Sequence, residues 1–134
     1  IDAHSHNDWF ALRKNAGKYF YPFIQQGITT FVTGNCGLAA TGFSDDTINK
    51  EIIGGGLFSF RDCKKPRGQV KDYLSAVDGN VPGNIAVLAG HCTARASVSG
   101  SVNRKLTEKE EKEMLDLLEQ ALQQGAAGIS LAAV

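Results

Sequence analysis

Two histidines close to the start of the chain have the type and spacing of metal ligands. His4 and His6 alternate, together with Asp2, along residues 1–6, which we predict to form the end of a β-strand. Side chains on a strand repeat every two residues, so all three should point to the same face. Imidazole nitrogens suit zinc, and a carboxylate such as Asp2 or Asp8 could orient a ring or join the ligands. A bare His-x-His pair is nevertheless more often two surface histidines that follow a strand.

A cysteine follows the next predicted strand. Cys36 lies in the sequence TGNCG, directly after the β-branched run of residues 28–33. If the two strands are parallel neighbours, their carboxyl ends meet at one edge of the sheet, and Cys36 joins His4 and His6 there. A thiolate is a strong zinc ligand, because bound zinc deprotonates it at neutral pH. Residue type alone leaves open a small buried cysteine in a tight glycine turn.

Polar residues also follow a third predicted strand, residues 85–88. His91 and Arg95 come just after it, with Cys92 and Thr93 between them. His91 is a candidate for binding metal or substrate, although a histidine at a strand end is as often a satisfied structural residue. Arg95 is a candidate for binding a substrate carboxylate, since a planar guanidinium can hold one bidentately. An ordinary surface position is the commoner role for any one arginine.

The elements that must position these residues alternate along the chain. Strands are predicted at residues 1–6, 28–33, 85–88 and 127–134, and helices at residues 10–26, 70–77 and 106–124. Apolar strands that alternate with helices predict an α/β fold with a parallel sheet, here of about four strands. The pattern fits a barrel and a doubly wound sheet equally well.

Local signals refine three of these elements. Pro22 should break or kink the first helix. Residues 34–67 are long for a plain connection, so we predict a functional loop that contains a short helix. The helix over residues 106–124 is the most clearly marked, since Thr107 and Glu110 can form a capping box. Its apolar stripe is predicted to contain Met114, Leu115, Leu117, Leu118, Ala121 and Leu122.

The composition argues against several classes of partner. Lys plus Arg and Asp plus Glu number 14 each in 134 residues, so no net positive charge attracts nucleic acid. Three cysteines do not form a disulfide framework, and no apolar run reaches the roughly 20 residues that cross a bilayer. We therefore expect a reduced, cytoplasmic protein with neither nucleic acid nor a membrane as partner. Because the chain begins without Met inside a predicted strand, we also expect a fragment of a longer protein.

Four segments carry a family resemblance. IDAHSHND, TTFVTGNCG, LAGHCTAR and LLEQALQQGAAGIS resemble, in order and spacing, the N-acyl-D-amino-acid deacylases (D-aminoacylases) of the amidohydrolase superfamily. The likeness spans nearly the whole chain. The histidine pair occurs in many amidohydrolases, whereas a cysteine in a GNCG turn is particular to this family and separates it from dihydroorotases and hydantoinases.

The resemblance implies a (β/α)8 TIM-type barrel with a small β-sandwich domain. Residues 1–134 would be the first strands and helices of the barrel, with the later strands and the sandwich outside the chain. The family hydrolyses a C–N bond other than a peptide bond, in N-acyl-D-amino acids. His4, His6 and Cys36 match its ligands for one or two zinc ions, and its general-base aspartate is expected beyond residue 134.

Two departures from the family pattern limit what can be carried over. Cys92 replaces the second glycine of the usual GHGT motif, where it could compete as a ligand. The usual Ser-Thr-Gly-Leu stretch keeps its serine, Ser130, but Leu131 and Ala132 follow it. Acyl and amino-acid preferences are therefore not predicted. The alternatives are another amidohydrolase, such as a dipeptidase or cyclic amidase, or a non-catalytic α/β binding module. A fragment with two uncovered strand edges should be inactive and should associate with itself.

Overall fold

Strands and helices alternate over the part of the chain that the structure describes. The computed structural model describes residues 1–63 and 65–132. The strands are β1 (Thr30–Thr33), β2 (Asn84–Gly90) and β3 (Gly128–Ser130), and the helices are α1 (Asp8–Ala11), α2 (Gly17–Ile24), α3 (Val70–Val77), α4 (His91–Ser99) and α5 (Glu108–Gln123). The long connection after β1 contains a 3-10 turn at Lys50–Ile52. The last two residues of the predicted strand 127–134 lie outside the described residues.

The strands form a parallel sheet in the order β1-β2-β3. Thr30 of β1 lies opposite Asn84 of β2, and Leu88 of β2 lies opposite Gly128 of β3. The predicted parallel sheet is therefore confirmed. The strand order follows the chain order, which favours a barrel, since a doubly wound sheet reverses its order at a switch point.

The predicted strand over residues 1–6 is reduced to a bridge. Asp2 pairs in parallel with Phe31 on the free side of β1, and the Asp2 carbonyl accepts the Val32 N–H at 2.8 Å. The Asp2 carboxylate then accepts the His4 N–H at 3.1 Å, which bends the chain away from a regular strand. The segment still occupies the position of a fourth strand beside β1.

The predicted helix over residues 10–26 is divided in two. It is interrupted between α1 and α2, where Asn15 has a φ of 61°, a left-handed conformation that asparagine tolerates better than most residues. Arg13, in the same interval, forms an antiparallel bridge with Cys63. The expected break at Pro22 is wrong, because α2 continues through that proline to Ile24.

Helix α4 is an element that the sequence pattern did not predict. It begins at His91, directly after β2, and continues to Ser99. Its residues include one threonine, one valine and two serines, which are weak helix formers, and two alanines and one arginine, which are strong ones, so propensity gives a mixed signal. Packing supplies the stability instead: Thr93 and Ala94 are fully buried, and α4 packs against α5.

The core consists of two apolar clusters. The larger one is centred on Phe31, which is completely buried and has Phe20 and Phe23 edge-on at ring-centroid distances of 5.2 and 5.8 Å. Its other fully or nearly buried members include Trp9, Phe43, Ile53 and Tyr73. The second cluster joins β2 to α4 and α5 through Val87, Ala89, Ala94, Met114, Leu118 and Ala121. The core thus contains residues of the sheet, of its helices and of the long connection.

The amino-terminal end of α5 has the predicted capping box. The Thr107 hydroxyl accepts the Glu110 N–H at 3.3 Å, and the Glu110 carboxylate accepts the Thr107 N–H at 2.8 Å. Arg104 also binds that carboxylate, and this contact is the main reason that the pKa of Glu110 falls to about 2. Two members of the predicted stripe are wrong, since Leu115 and Leu122 are 54% and 42% exposed.

We expect Thr107→Ala to lower the free energy of unfolding by about 1 kcal/mol, because the Glu110 N–H loses the side-chain oxygen that caps it. Urea denaturation followed by circular dichroism measures the change. Glu111→Gln is the control, because Glu111 also lies in the first turn of α5 but takes no part in the box. An equal loss in both variants would contradict a capping role.

None of the helices within residues 1–63 and 65–132 combines the length and apolar character that crossing a bilayer requires.

Candidate metal centre

Three potential metal ligands meet at the carboxyl end of β1. One ligand atom from each of His4, His6 and Cys36 lies within 4.8 Å of the others. Cys36 Sγ is 3.4 Å from His4 Nε2, and the two imidazole centroids are 5.8 Å apart at an interplanar angle of 75°. The structure therefore brings together the three residues that the sequence predicts as metal ligands.

The donor set and its spacing fit zinc. Tetrahedral zinc with Zn–S near 2.3 Å and Zn–N near 2.05 Å would place sulfur and nitrogen about 3.6 Å apart. The observed 3.4 Å between Cys36 Sγ and His4 Nε2 is close to that separation. His6 Nδ1 is buried and makes no hydrogen bond to the described residues, so that ring has an unused polar atom. Three donors from this chain would leave zinc at least one position for a further ligand, water or substrate.

Cys36 lies in a turn built from left-handed residues. Gly34, Cys36 and Gly37 have φ angles of 75°, 55° and 70°. Glycine adopts this conformation freely, but for cysteine it is strained by about 1–2 kcal/mol. A side chain on Gly34 would collide with the carbonyl of Leu88 in β2, so the turn also needs glycine in order to lie close to the next strand. The surrounding contacts must hold the thiol in place.

Side chains from β3 and α4 supply part of that support. Ser130 Oγ accepts the Gly37 N–H at 3.0 Å and donates to the Gly34 carbonyl. Thr93 Oγ1 accepts the Ala39 N–H at 2.9 Å and donates to the Ala39 carbonyl at 3.0 Å. Both hydroxyl groups are buried. The cysteine turn is therefore anchored to two elements that lie far from it in sequence.

The long connection after β1 contributes an aromatic contact to the site. Phe58 stacks on His6 with the ring centroids 4.7 Å apart, and Trp9 stacks on Phe58 at 5.5 Å. Burial of the His6 ring, with a further contribution from the charge of His4, lowers the pKa of His6. A lowered pKa keeps the imidazole neutral, which is the form that binds a metal.

Asp2 and Asp8 are not part of the ligand cluster. Asp2 binds the His4 N–H through its carboxylate, so it positions the backbone of a ligand. Asp8 is 1% exposed and its Oδ2 accepts the Ala40 N–H at 2.8 Å. Burial raises the pKa of Asp8 to about 7. Both carboxylates therefore support the polypeptide around the site.

The candidate site residues that follow β2 lie outside the ligand cluster among the described residues. His91 is the first residue of α4, and its Nδ1 is buried without a hydrogen-bond partner among the described residues. Arg95 donates instead to the carbonyl of Arg104 in the loop before α5. Cys92 lies beside Gly37 and, within the described part of the chain, is not in the ligand cluster. Substrate binding by His91 and Arg95 stays a prediction.

We expect Gly37→Ala to destabilise the cysteine turn. The added Cβ would lie 2.7 Å from Cys92 Sγ, on a residue with a φ of 70°. Gly79→Ala is the matched control, since Gly79 has a φ of 69° and nothing within 4 Å of an added Cβ. The control should lose about 1 kcal/mol of unfolding free energy and Gly37→Ala about 1–3 kcal/mol more, as measured in urea. Equal losses would exclude the collision with Cys92.

Sequence reasoning missed the residues that hold the ligands. Asn35, Thr93 and Ser130 lie within the segments TTFVTGNCG, LAGHCTAR and LLEQALQQGAAGIS, but the sequence alone does not predict a supporting role for them. Asn35 and Ser130 are 9% exposed and Thr93 is fully buried. The one signal for these residues in the sequence is that a polar residue lies at or just after the end of each consecutive strand. Only the strand order shows that these ends converge.

Comparisons with known proteins point to one family. The chain is 36% identical over 137 residues to a D-aminoacylase of Alcaligenes xylosoxydans xylosoxydans, an alignment that covers 99% of this chain and 26% of that protein. It is also 36% identical over 135 residues to an N-acyl-D-aspartate deacylase of the same organism, with 97% and 25% covered. No family model matches the chain. The chain spans about a quarter of the length of these curated relatives.

A solved structure shows the same architecture. It is the crystal structure of an N-acyl-D-glutamate deacylase from Bordetella bronchiseptica, complexed with zinc and a phosphonate inhibitor that mimics the tetrahedral intermediate of the reaction. The TM-score is 0.70 at 26% sequence identity, over 98% of this chain and 26% of that one. The three parallel strands and their helices form part of an α/β barrel. By sequence and by structure, the chain is similar to the N-acyl-D-amino-acid deacylases of the D-aminoacylase family.

Proposed function

We propose that the protein to which this chain belongs is a zinc-dependent hydrolase that cleaves the amide bond of N-acyl-D-amino acids. The observation that carries the proposal is the convergence of His4, His6 and Cys36, with ligand atoms within 4.8 Å of one another. The deacylase names of the relatives and the zinc and inhibitor in the structural neighbour support it.

Each element of the site has a defined task in this chemistry. Bound zinc would polarise the scissile carbonyl and lower the pKa of a bound water to near 7. His4 and His6 would hold the zinc through imidazole nitrogens, and Cys36 would hold it through its sulfur. Phe58 covers one face of His6, which excludes water from that side of the ring. The general base and any further ligands are predicted to lie outside residues 1–134.

The proposal is tested with the complete protein and a panel of amides. Purified protein is incubated with N-acyl-D-amino acids, N-acyl-L-amino acids, dipeptides and cyclic amides, before and after removal of metal with a chelator. We expect hydrolysis of the N-acyl-D substrates, loss of activity on chelation and recovery with zinc. Preference for dipeptides or cyclic amides would assign another amidohydrolase activity. If the protein neither binds zinc nor hydrolyses any of these amides, the result would favour the alternative of a non-catalytic α/β binding module.

A further inference from the structure

We propose that Asn35 is a positioning residue whose side-chain amide fixes the distance between the histidine ligands and Cys36. The inference rests on the proposed zinc site and concerns how the chain holds it. Asn35 immediately precedes Cys36 and is 9% exposed. Its Nδ2 donates to the Ser5 carbonyl at 3.2 Å and to the Val32 carbonyl at 3.0 Å.

The two acceptors lie on the segments that carry the ligands. Ser5 is flanked by His4 and His6, and Val32 is in β1, which leads into the cysteine turn. The Ser5 N–H also donates to the Val32 carbonyl at 3.0 Å. The peptide between the two histidines is therefore held at both ends, once by β1 and once by Asn35.

The chemistry of this contact requires an amide. Two carbonyl oxygens face the same side-chain atom, so that atom must be a donor with two hydrogens, as the nitrogen of asparagine is. Aspartate has the same shape but, when ionised, would place an acceptor against two acceptors. Serine is too short to span both carbonyls and has one hydrogen to donate.

Among the described residues, the other side-chain hydrogen bonds to the backbone in and just after the turn come from Ser130, Thr93 and Asp8. Ser130 and Thr93 anchor the turn to β3 and α4, and Asp8 binds Ala40, beyond the turn. Asn35 connects the cysteine turn to the histidine segment. Loss of its amide should therefore change the relative positions of the ligands more than it changes the fold.

The test measures zinc affinity in the complete protein with Asn35→Asp and Asn35→Ser. Asn84→Asp is the matched control, because Asn84 Nδ2 also donates to a backbone carbonyl of the chain, that of Thr29 at 3.2 Å, just before β1. Competition with a chelator gives the zinc dissociation constant. The thiolate-to-metal charge-transfer band of the cobalt-substituted protein reports the Cys36 bond, and thermal unfolding reports the fold.

We expect both Asn35 variants to bind zinc about 10- to 100-fold more weakly. This range is typical when a residue that orients a metal ligand through a hydrogen bond is lost. The cobalt band should weaken or shift, and Asn84→Asp should stay within about twofold of wild type. If Asn35→Asp does not fold, Asn35→Ser decides the comparison.

Three results would overturn the inference. Folded Asn35 variants with wild-type zinc affinity and an unchanged cobalt band would show that the amide only stabilises the fold. Equal weakening by Asn84→Asp would assign the effect to general destabilisation. Wild-type protein without zinc would refute the proposed function and this inference together, whereas the first two results leave the proposed function intact.

Discussion

Cys36→Ser should reduce zinc affinity and amide hydrolysis by at least about 100-fold. Loss of a residue that only orients a ligand costs up to about 100-fold, so loss of a ligand itself should cost at least as much. Cys36 lies 3.4 Å from His4 Nε2 at the position of a third ligand, so its loss leaves two imidazoles. Serine occupies a similar volume, but its hydroxyl is a much weaker zinc ligand than a thiolate, because it is not deprotonated at neutral pH. Zinc content by elemental analysis and the rate of hydrolysis by the complete protein measure the change.

Cys63→Ser is the control for this substitution. Cys63 is a partly buried free thiol that pairs with Arg13 through its backbone, and burial raises the pKa of its thiol. A thiol that stays protonated is a poor ligand. The control should therefore retain zinc and activity. Retention of zinc by Cys36→Ser, or loss of zinc in both variants, would contradict the assignment of Cys36 as a ligand.

Phe31→Ala should lower the free energy of unfolding by about 3–5 kcal/mol, the range for removal of a fully buried phenylalanine ring. Phe31 has no exposed surface, and Phe20 and Phe23 contact it edge-on. Its backbone also pairs with Asp2, two residues before the first histidine ligand. Because the ring fixes β1 against α2, the loss of stability should be accompanied by weaker zinc binding. Urea denaturation measures the stability.

Tyr21→Ala is the control for Phe31→Ala, since it removes an aromatic ring from α2 that is 58% exposed. Substitution of such a surface residue should change the stability by no more than about 0.5 kcal/mol. A loss below about 1.5 kcal/mol for Phe31→Ala would contradict the central place of this ring in the core, since even the removal of one or two buried methylenes reaches that value.

The ligand cluster could be predicted from residue types and from strand order. The sequence pattern predicts His4, His6 and Cys36 at adjacent strand ends, and the structure brings their ligand atoms within 4.8 Å of one another. The first of those strands is only a bridge at Asp2, because the Asp2 carboxylate takes the His4 N–H. A local side-chain bond of this kind competes with regular strand pairing and leaves no periodic signal in the sequence.

The hydrogen bonds that support the ligand cluster could not be predicted from residue types and strand order. Ser130 and Gly34 are hydrogen-bonded across 96 residues of sequence, and Thr93 binds Ala39 across 54. Helix α4, which carries Thr93, mixes weak and strong helix formers, and its buried residues Thr93 and Ala94 stabilise it through packing. Contacts of this kind depend on how elements pack after the chain has folded, which residue type and spacing do not encode.

The measurement that tests the central claim most directly is zinc K-edge X-ray absorption on the complete, purified protein. A site formed by His4, His6 and Cys36 should give one sulfur scatterer near 2.3 Å and nitrogen or oxygen scatterers at about 2.0–2.2 Å. The sulfur contribution should disappear in Cys36→Ser and persist in Cys63→Ser. A protein that binds zinc with no sulfur in its coordination sphere, or one that binds no zinc, would contradict the account.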